Sequence, residues 1–450
     1  MTTTKRLAKS LGTREKNVET LQSLLHAKAK SEPEYRFYSL WDKIYREDVL
    51  ATAYGRSRKN GGAAGVDGET FEEIEEQGKE KWLGELQEEL RQKTYKPKPL
   101  RRVWIAKANG GTRPLGIPTI KDRVVQMATT LILGSIFEAD LEPSQYGFRP
   151  KLDAKMAIRR LYYHVTEYRR TEVVDADLKD YFTSVPHGAL MKSLARRISD
   201  GQMLKVIKEW LTVPVVEEAN GQRVCTTEAK DKGRGTPQGS PISPLFANVY
   251  FRRFILAWKK FGYEEKWDAR IVNYADDFVI CTRPSCGEQV MEKMRKLMEK
   301  LGLQVNEGKT KLAKFPKDRV DFLGYTLGQQ YGCGGKSYIG TQPSKKSVKR
   351  VMQKIHEETS CRWGNTPVES RIVALNQIIR GWANYFDQGP VLDAYRKVER
   401  YTERRLQKWL VRKHKQRGLG YRQYPEEYLH KKLGLIKLPV NRTDLVKAKA

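Results

Sequence analysis

The chain has 450 residues, of which 39% are hydrophobic and 10% aromatic, a composition that suits a globular protein of two or three domains and excludes a disordered chain. Its formal net charge of +30 exceeds what solubility requires and indicates a polyanionic partner, with nucleic acid as the first candidate. A membrane surface is the alternative. The sequence has no basic amphipathic anchor and no run of about 18 apolar residues, so we expect no membrane association.

The N-terminal residues and the cysteines bear on the compartment. Met-Thr-Thr-Thr-Lys-Arg lacks the apolar core of a secretory signal, and the five cysteines include no Cys-x-x-Cys pair. We expect free thiols in a reducing compartment, and the expected location is a bacterial cytoplasm. An organelle is the alternative, because threonine and basic residues also occur in organelle presequences.

The first hundred residues predict helices on either side of one irregular segment. Residues 1–34 are polar and basic and predict a loosely helical tail. Apolar residues recur at helical spacing over 35–54 and 69–92. The glycine-rich stretch between them, residues 56–68, is not a nucleotide P-loop, because no Gly-Lys-Ser/Thr ends it. On composition alone, this stretch can be a flexible linker.

Residues 101–118 predict a β-hairpin, because two apolar runs flank an Asn-Gly-Gly turn. Lys107 and Arg113 lie near its tip, where an ammonium and a guanidinium can together bind a triphosphate. A merely solvated hairpin surface is the alternative. Helices are expected next over 121–142 and 187–212.

An open backbone is predicted at residues 232–244, which are rich in Gly, Pro and small residues and lead into an apolar helix over 245–258. Glycine lets a backbone approach a ligand closely, and a helix N-terminus attracts anions. We therefore expect a nucleotide to bind against this stretch, which contains Gln238.

Two adjacent carboxylates, Asp276 and Asp277, lie between two runs of β-forming residues in the segment 270–282. This pattern predicts a strand, a tight turn and a strand. Carboxylates packed so closely repel, and one becomes protonated unless a cation lies between them. A divalent metal pair resolves the repulsion and can drive in-line phosphoryl transfer.

A third carboxylate is needed for such a site, and Asp177 offers it at the end of an apolar strand. Its neighbours Asp175 and Asp180 are expected to be solvated turn residues.

The sequence Asp-Leu-Lys-Asp-Tyr-Phe at 177–182, followed by Tyr-Ala-Asp-Asp at 274–277, resembles the reverse transcriptases. Arg-Gly-Trp-Ala-Asn-Tyr-Phe at 380–386 resembles the thumb, or maturase domain, of the group II intron reverse transcriptase/maturase. The resemblance extends from about residue 35 to about residue 435. It implies an α+β right-hand polymerase, whose fingers and palm contain an antiparallel sheet, followed by an all-α thumb.

The resemblance also implies roles for individual residues. Asp177, Asp276 and Asp277 would hold two Mg²⁺ ions, with Mn²⁺ as a substitute; one ion activates the primer 3′ hydroxyl and the other steadies the triphosphate and leaving pyrophosphate. The implied nucleotide contacts are Lys107, Arg113, Tyr181, Gln238 and Lys309. The implied primer and template contacts are Arg56, Arg58, Lys59, Arg149, Leu323, Gly324 and Tyr325.

The implied role of Tyr181 is selection of the sugar. Its ring would exclude a 2′ hydroxyl and so favour deoxynucleotides. Arg149 could equally be a buried structural arginine.

The C-terminal third is helical and basic. Helices are expected from Ser344, after a capping box at Thr366–Glu369, and from Val391 to Lys413. Residues 391–450 hold 17 lysines and arginines against 6 acidic residues. An RNA-binding cluster is predicted at Arg404, Arg405, Arg412, Lys413, Lys415 and Arg417. A solvated face is the alternative.

The expected divisions of the chain are a basic tail (1–34), an N-terminal extension of the fingers (35–100), the fingers and palm (101–335), the thumb (336–418) and a second basic tail (419–450). No His-Asn-His or paired-cysteine pattern follows the thumb, so we expect the form that lacks an endonuclease domain.

The expected function is an RNA-directed DNA polymerase that extends a DNA or RNA primer on an RNA template with deoxynucleotide triphosphates. The resemblance implies that it also binds a structured group II intron RNA and assists its splicing and mobility. Three alternatives stay open: an RNA-dependent RNA polymerase, a stand-alone reverse transcriptase in defence or spacer acquisition, and a maturase that binds RNA without polymerising.

Overall fold

The structure is a computed structural model that describes residues 2–106, 110–219, 222–332 and 334–438. Its helices are α1 (Thr2–Ser31), α2 (Trp41–Ile44), α3 (Glu47–Asn60), α4 (Phe71–Gln77), α5 (Lys79–Arg91), α6 (Ile120–Glu138), α7 (Ala154–Thr166), α8 (Tyr181–Ser184), α9 (His187–Ala195), α10 (Gly201–Thr212), α11 (Glu228–Lys232), α12 (Ser243–Lys260), α13 (Tyr263–Lys266), α14 (Gly287–Lys300), α15 (Lys345–Glu358), α16 (Val368–Tyr385) and α17 (Leu392–Lys413). Its strands are β1 (Leu100–Ala106), β2 (Thr112–Ile117), β3 (Glu172–Asp177), β4 (Val215–Ala219), β5 (Gln222–Thr226), β6 (Arg270–Tyr274), β7 (Asp277–Thr282), β8 (Lys311–Lys314), β9 (Val320–Phe322), β10 (Tyr325–Tyr331) and β11 (Ser337–Pro343).

A four-stranded antiparallel sheet, in the order β6-β7-β3-β8, lies between two hydrophobic cores. Successive side chains of a strand point to opposite faces, so Val174 and Ala176 of β3 join one core while Val173 joins the other. The first core contains α6, α9, α10, α12 and α14. The second contains α7 and the three helices α15, α16 and α17. The expected α+β palm with a helical thumb is confirmed.

A second four-stranded sheet, in the order β2-β1-β4-β5, forms the fingers. Strands β1 and β2 pair as the predicted hairpin, with Arg101 opposite Ile117 and Ala106 opposite Thr112.

The N-terminal segment differs from the expected loose tail, because α1 is one helix of 30 residues. Val18, Leu25 and Ala29 are buried in the first core, and the side-chain amide of Gln22 donates to the carbonyl oxygen of Leu131 at 2.8 Å. Helix α1 therefore packs on α6 as part of the fingers.

The glycine-rich stretch is not a free linker. The guanidinium of Arg101 donates to the carbonyl oxygen of Ala64, and that of Arg123 donates to the carbonyl oxygen of Ala63. A Cβ on Gly65 would lie 2.6 Å from the Cα of Thr119. Only glycine allows this close approach, and the loop is fixed against the start of α6.

Four helical predictions need correction. Residues 35–54 contain α2 and the first part of α3, which are separated by Tyr45 and Arg46, and residues 35–40 are not helical. Residues 69–92 form two helices with a break at Gly78, which has a φ of +104°, and residues 187–212 form the separate helices α9 and α10. The capping box at Thr366–Glu369 does not form. Pro367 is the N-cap of α16, and the Thr366 hydroxyl donates backwards to the carbonyl oxygen of Trp363 at 2.6 Å.

The two expected boundaries of the thumb also differ from the structure. Strands β9, β10 and β11 form a third sheet, and the β10–β11 hairpin crosses residue 336, so the helical bundle begins only at α15. At the other end, Tyr424, Leu429, Leu435 and Leu438 are buried in the second core. The part of the expected tail up to residue 438 is thus a strap packed on the thumb. Among the described helices, none is long and apolar enough to cross a membrane.

Candidate active site

The three predicted carboxylates meet at one end of the palm sheet. Strand β6 ends at Tyr274 and β7 begins at Asp277, so Ala275 and Asp276 form a two-residue turn; the φ of Ala275 is +60°. Asp177 is the last residue of β3 and lies directly opposite Asp277 in the antiparallel register. The predicted strand–turn–strand is confirmed, and the sheet brings together carboxylates that are about a hundred positions apart in the sequence.

The protonation of these carboxyl groups reflects their crowding. Loss of hydration, followed by the charges of Asp276 and Asp177, raises the pKa of Asp277 to about 6. The pKa of Asp276 is also raised, first by burial and then by Asp177, while Lys309 and Arg113 act in the opposite direction. A divalent cation at this end of the sheet would relieve the repulsion.

Asp175 is a mid-strand residue of β3 and not the solvated turn residue that we expected. It pairs with Val279 of β7 and Lys311 of β8, and it points to the same face as Asp177 because the two are separated by two positions. Burial, followed by the charges of Asp277 and Asp321, raises the pKa of Asp175 to about 7. The sequence did carry the signal, since Asp175 and Asp177 alternate with buried residues.

Two of the predicted triphosphate-binding cations face the carboxylates. The ammonium of Lys309 forms a hydrogen-bonded ion pair with Asp177, and this contact raises the pKa of Lys309. Arg113, exposed on β2, lies near enough to Asp276 to lower its pKa. Lys107 lies outside the described residues.

The Asp276 turn rests on the segment that precedes α7. Asn273 is fully buried, and its side-chain amide donates to the carbonyl oxygen of Ala275 at 2.8 Å. A Cβ on Gly147 would lie 2.6 Å from the backbone nitrogen of Ala275, so the two backbones touch. The amide of Asn248, on α12, donates to the carbonyl oxygen of Gly147 at 2.8 Å. These buried contacts fix the position of the turn that contains Asp276 relative to α12.

The loop containing Gln238 reaches the fingers hairpin. The backbone nitrogen of Gly116 donates to the carbonyl oxygen of Gln238 at 2.7 Å. Gly239 has a φ of +108°, and a Cβ there would lie 2.6 Å from the carbonyl oxygen of Gly116. The Gln238 loop therefore joins the palm to β2, the strand that carries Arg113.

Tyr181 does not have the position against the nucleotide sugar that the resemblance implies. It is only 2% exposed, and its hydroxyl donates to the carbonyl oxygen of Ala247 at 2.7 Å, which makes it a core residue. The next ring, Phe182, is half-buried and makes an edge contact with Phe148 at 6.4 Å between ring centroids. Phe148 is 54% exposed. The sequence showed two adjacent rings, and only the packing reveals which one faces outwards.

Arg149 is a structural residue and not a template contact. Its guanidinium forms an ion pair with Glu138 at 2.6 Å and donates to the carbonyl oxygens of Glu142 and Gln145, both at 2.8 Å. The side chain is only 9% exposed, so it clamps the end of α6.

The turn at Leu323-Gly324-Tyr325 joins β9 to β10. Leu323 and Gly324 have positive φ values of +49° and +82°, whereas the ring of Tyr325 is buried and its hydroxyl donates to the carbonyl oxygen of Tyr385 at 2.5 Å. The Tyr385 hydroxyl in turn donates to the carbonyl oxygen of Leu323 at 2.9 Å. The side chain of Tyr325 is thus excluded as a direct primer contact, and α16 fixes the turn.

The predicted basic residues outside the cleft divide into exposed and tethered groups. Arg56 and Lys59 are exposed at the end of α3, and Arg58 is paired with Glu75. On the thumb, the exposed residues are Arg404, Arg412, Lys415 and Arg417. Arg405 is half-buried and bonded to Thr359, and Lys413 donates to the carbonyl oxygens of Gly364 and Thr366. Arg405 and Lys413 therefore hold the loop after α15.

A second group of metal-ligand types lies in the thumb. Among the described residues, only Glu399, Glu403 and His430 bring three such ligand atoms within 4.8 Å of one another. His430 already contacts Glu403 at 2.9 Å and the carbonyl oxygen of Leu435 at 2.7 Å, and Glu399 accepts from the backbone of Leu438. We interpret this group as a set of contacts that holds the strap against α17. The carboxylate oxygens of the three palm aspartates do not all lie within 4.8 Å of one another.

Known families match both halves of this architecture. Residues 105–327 match the family described as reverse transcriptase (RNA-dependent DNA polymerase). Residues 348–425 match the group II intron, maturase-specific domain.

Individual relatives agree with these matches. Protein YkfC of Escherichia coli is 30% identical over 366 residues, which cover 73% of this chain and 93% of YkfC. An uncharacterized 91 kDa protein in a cob intron of Schizosaccharomyces pombe is 24% identical over 77% of this chain and 50% of its own length. The group II intron-encoded protein LtrA of Lactococcus lactis is 32% identical over 50% of this chain and 36% of its own length. Together with the carboxylates at the end of the palm sheet and with the helical thumb, these matches show that the chain belongs to the group II intron reverse transcriptase/maturase family.

Proposed function

We propose that this reverse transcriptase joins deoxynucleotides to a primer at the site formed by Asp177, Asp276 and Asp277. The observation that carries the proposal is the register of the palm sheet. It places Asp177 directly opposite Asp277, with Asp276 in the adjoining turn. This arrangement concentrates negative charge at a half-exposed edge, which a divalent metal site requires.

Two Mg²⁺ ions, or Mn²⁺ in their place, fit this donor set. All three donors are carboxylates, the ligand type that hard divalent cations prefer. Burial and then the neighbouring carboxylates raise the pKa values of Asp276 and Asp277, and a bound cation would offset both effects. When bound, such ions supply Lewis-acid activation of the primer 3′ hydroxyl and charge stabilisation at the triphosphate.

The cations around the carboxylates would orient the incoming triphosphate. Lys309 is held over Asp177 by the ion pair, and Arg113 reaches towards Asp276 from the fingers. On triphosphate binding, the Lys309 ammonium would exchange its carboxylate partner for a phosphate oxygen, which frees Asp177 for metal ligation. The Gln238 loop, bonded to β2 through Gly116, would keep Arg113 at a fixed distance from the palm.

Discrimination between sugars would fall to Phe182. It is the half-buried ring beside the exposed Phe148, whereas Tyr181 is enclosed in the core. A bulky ring against the 2′ carbon excludes a hydroxyl by steric overlap, which favours deoxynucleotides over ribonucleotides. This selectivity separates the proposal from an RNA-dependent RNA polymerase.

The partners that we propose are an RNA template, a DNA or RNA primer, deoxynucleotide triphosphates and a structured group II intron RNA. The maturase-specific match over residues 348–425 and the name of LtrA as an intron-encoded protein support the intron RNA. Arg404, Lys408 and Arg412 add physical support, because they are exposed on α17 and lie four positions apart, so they form one basic stripe.

The experiment is primer extension by the purified chain on oligo(dT)-primed poly(rA) with Mg²⁺. We expect incorporation of dTTP and little incorporation of UTP. Equal or preferred use of UTP would favour the RNA polymerase instead. No incorporation of either nucleotide, together with tight binding of a group II intron RNA, would favour a maturase that only binds RNA.

A further inference from the structure

A cavity of about 400 Å³ opens on the outer side of α12, between the end of α6, helix α9 and the loop after α1. Its apolar lining comes from Phe137, Leu141, Val249, Leu256, Ala257 and Leu301. Its charged lining consists of four arginines and Lys260 at the end of α12, against the two carboxylates of Glu34 and Asp140. The cavity is therefore amphipathic, with an apolar floor and a cationic rim.

This cavity is separate from the polymerase site. None of the three catalytic aspartates lines it, nor do Lys309, Arg113 or Gln238. The Gln238 loop precedes the N-terminus of α12, whereas the cavity lies along the second half of that helix. With a rise of 1.5 Å per residue, Leu256 is roughly 20 Å along the axis from Ser243.

The cavity lining has more cationic groups than carboxylates that pair with them. Asp140 is occupied by Arg197, which lies 3.2 Å away. Arg196 and Lys260 are exposed at the rim, and within the described ranges neither forms an ion pair.

Two further arginines, Arg252 and Arg253, have a buried Nε without a hydrogen-bond acceptor in the described part of the chain. The Nε of Arg252 lies 3.7 Å from the nearest carboxylate oxygen, on Glu142, which is beyond hydrogen-bond range. A buried donor left unpaired is unfavourable by about 1–3 kcal/mol. The unpaired rim charges of Arg196 and Lys260, beside these incompletely bonded arginines, favour an anionic ligand.

We propose that this cavity binds one nucleoside 5′-phosphate unit, with the base on the apolar floor and the phosphate among Arg196, Arg252 and Lys260. The volume lies within the usual range of about 300–1,000 Å³ for small-molecule pockets. Guanidinium groups pair bidentately with phosphate. A bare inorganic anion would leave the apolar floor without a partner. The unit can be a free nucleotide or an unpaired nucleotide of a bound RNA strand.

Two variants test the contributions of charge and of shape to binding in the cavity separately. Arg196→Gln with Lys260→Gln removes two rim charges that have no internal partner, so the fold should be unaffected. Ala257→Trp fills the apolar floor and keeps every charge. The matched control is Lys192→Gln with Lys205→Gln, which removes two exposed charges from α9 and α10 outside the cavity. Thermal unfolding of each variant verifies that it is folded.

The measurement has two arms, both in EDTA so that metal-dependent binding at the palm is absent. One arm is equilibrium dialysis with radiolabelled AMP, and the other is titration of a labelled single-stranded RNA oligonucleotide. We expect both cavity variants to bind about tenfold more weakly or worse in at least one arm, while the control variant matches the wild type. Losses in the AMP arm identify a free nucleotide, and losses confined to the RNA arm identify a nucleotide within a strand.

Two results would overturn the proposal. One is wild-type binding by Ala257→Trp in both arms, because a filled cavity cannot accept a base. The other is an equal loss in the Lys192/Lys205 control, because binding would then follow general surface charge. Primer extension on the homopolymer should be unchanged in the cavity variants, so the outcome does not depend on the proposed catalytic function.

Discussion

The adjacent rings Tyr181 and Phe182 differ in their surroundings, and this difference predicts separate effects on substitution. Phe182→Ala removes the half-buried ring beside Phe148 and should admit ribonucleotides, lowering the dTTP/UTP preference by about tenfold or more. Tyr181→Phe should keep the preference and lose only the hydrogen bond to the carbonyl oxygen of Ala247. Steady-state kcat/KM for each nucleotide is the measurement. An altered preference in Tyr181→Phe alone would contradict the assignment.

His164 predicts a specific loss of stability in acid. Arg170 donates to its Nδ1 at 2.8 Å, which requires a neutral ring, and burial followed by the charges of Arg160 and Arg170 lowers its pKa from 6.5 to about 3. The unfolded chain binds a proton between these two values that the folded protein does not. The contribution of His164 to stability is therefore complete above pH 6.5 and is lost as the pH falls towards 3.

The test of this effect compares the wild type with His164→Asn, whose side-chain oxygen can still accept from Arg170. Between pH 7 and pH 4 the wild type should lose stability more steeply than the variant, by at most about 1.4 kcal/mol per pH unit. Thermal midpoints measured across this range provide the comparison. Parallel curves for the two proteins would show that His164 is protonated in the folded state.

At the residue scale, the sequence allowed the predictions that depend only on the chemistry of side chains close together in the chain. Adjacent carboxylates favour a bound cation, so Asp276 and Asp277 could be proposed as metal ligands before the fold was known, and the acidic end of an apolar strand added Asp177. The sequence could not predict that the side chains of Arg149 and Tyr325 are structural, because their partners, Glu138 and Tyr385, become neighbours only through tertiary packing.

At the scale of elements, the helices and the palm hairpin followed from apolar periodicity, and most errors lay at helix ends. The segment 187–212 shows why. Asp200 caps α10 by accepting from the backbone of Met203 at 3.1 Å, and it also accepts from the backbone nitrogens of Leu40 and Trp41. A partner 160 positions away in the sequence therefore helps to break the helix, and no local pattern shows it.

The strap after α17 should stabilise the thumb. Leu429, Leu435 and Leu438 are buried in the second core, and each contributes about 1.5–3 kcal/mol by burial. A chain ending at Gly418 should therefore show a lower thermal midpoint and faster proteolysis of α17 than one ending at Leu438. If both truncations unfold at the same temperature, the strap makes no contribution to the fold.

At the scale of the whole molecule, the net charge of +30 is distributed over several surfaces. We expect the exposed thumb cations Arg404, Lys408, Lys415 and Arg417 to bind phosphates of a structured RNA outside the primer–template cleft. Neutralising all four to Gln should weaken binding of a group II intron RNA and lower the log–log salt slope by about 3 units, at roughly 0.7–0.9 per contact. Filter binding across a salt series is the measurement.

The control for this experiment neutralises four exposed lysines away from the thumb, Lys96, Lys192, Lys205 and Lys208. It removes the same net charge and should leave the slope near the wild-type value. Extension of a homopolymer at saturating template should be unchanged by the thumb substitutions. Equal losses in RNA binding and in extension would mean that the thumb cations act within the polymerase cleft.

The central claim is that Asp177, Asp276 and Asp277 form the catalytic centre, and single-turnover extension of oligo(dT) on poly(rA) by Asp→Asn variants tests it most directly. Asparagine keeps the shape of each residue and removes a charge that burial and then the neighbouring carboxylates disfavour, as the raised pKa values of Asp276 and Asp277 indicate, so thermal stability should not fall. We predict that each of the three variants loses at least about 100-fold in rate, while Asp180→Asn, an exposed change in the same segment as Asp177, extends at the wild-type rate. Extension by Asp276→Asn or Asp277→Asn at the rate of Asp180→Asn would contradict the claim.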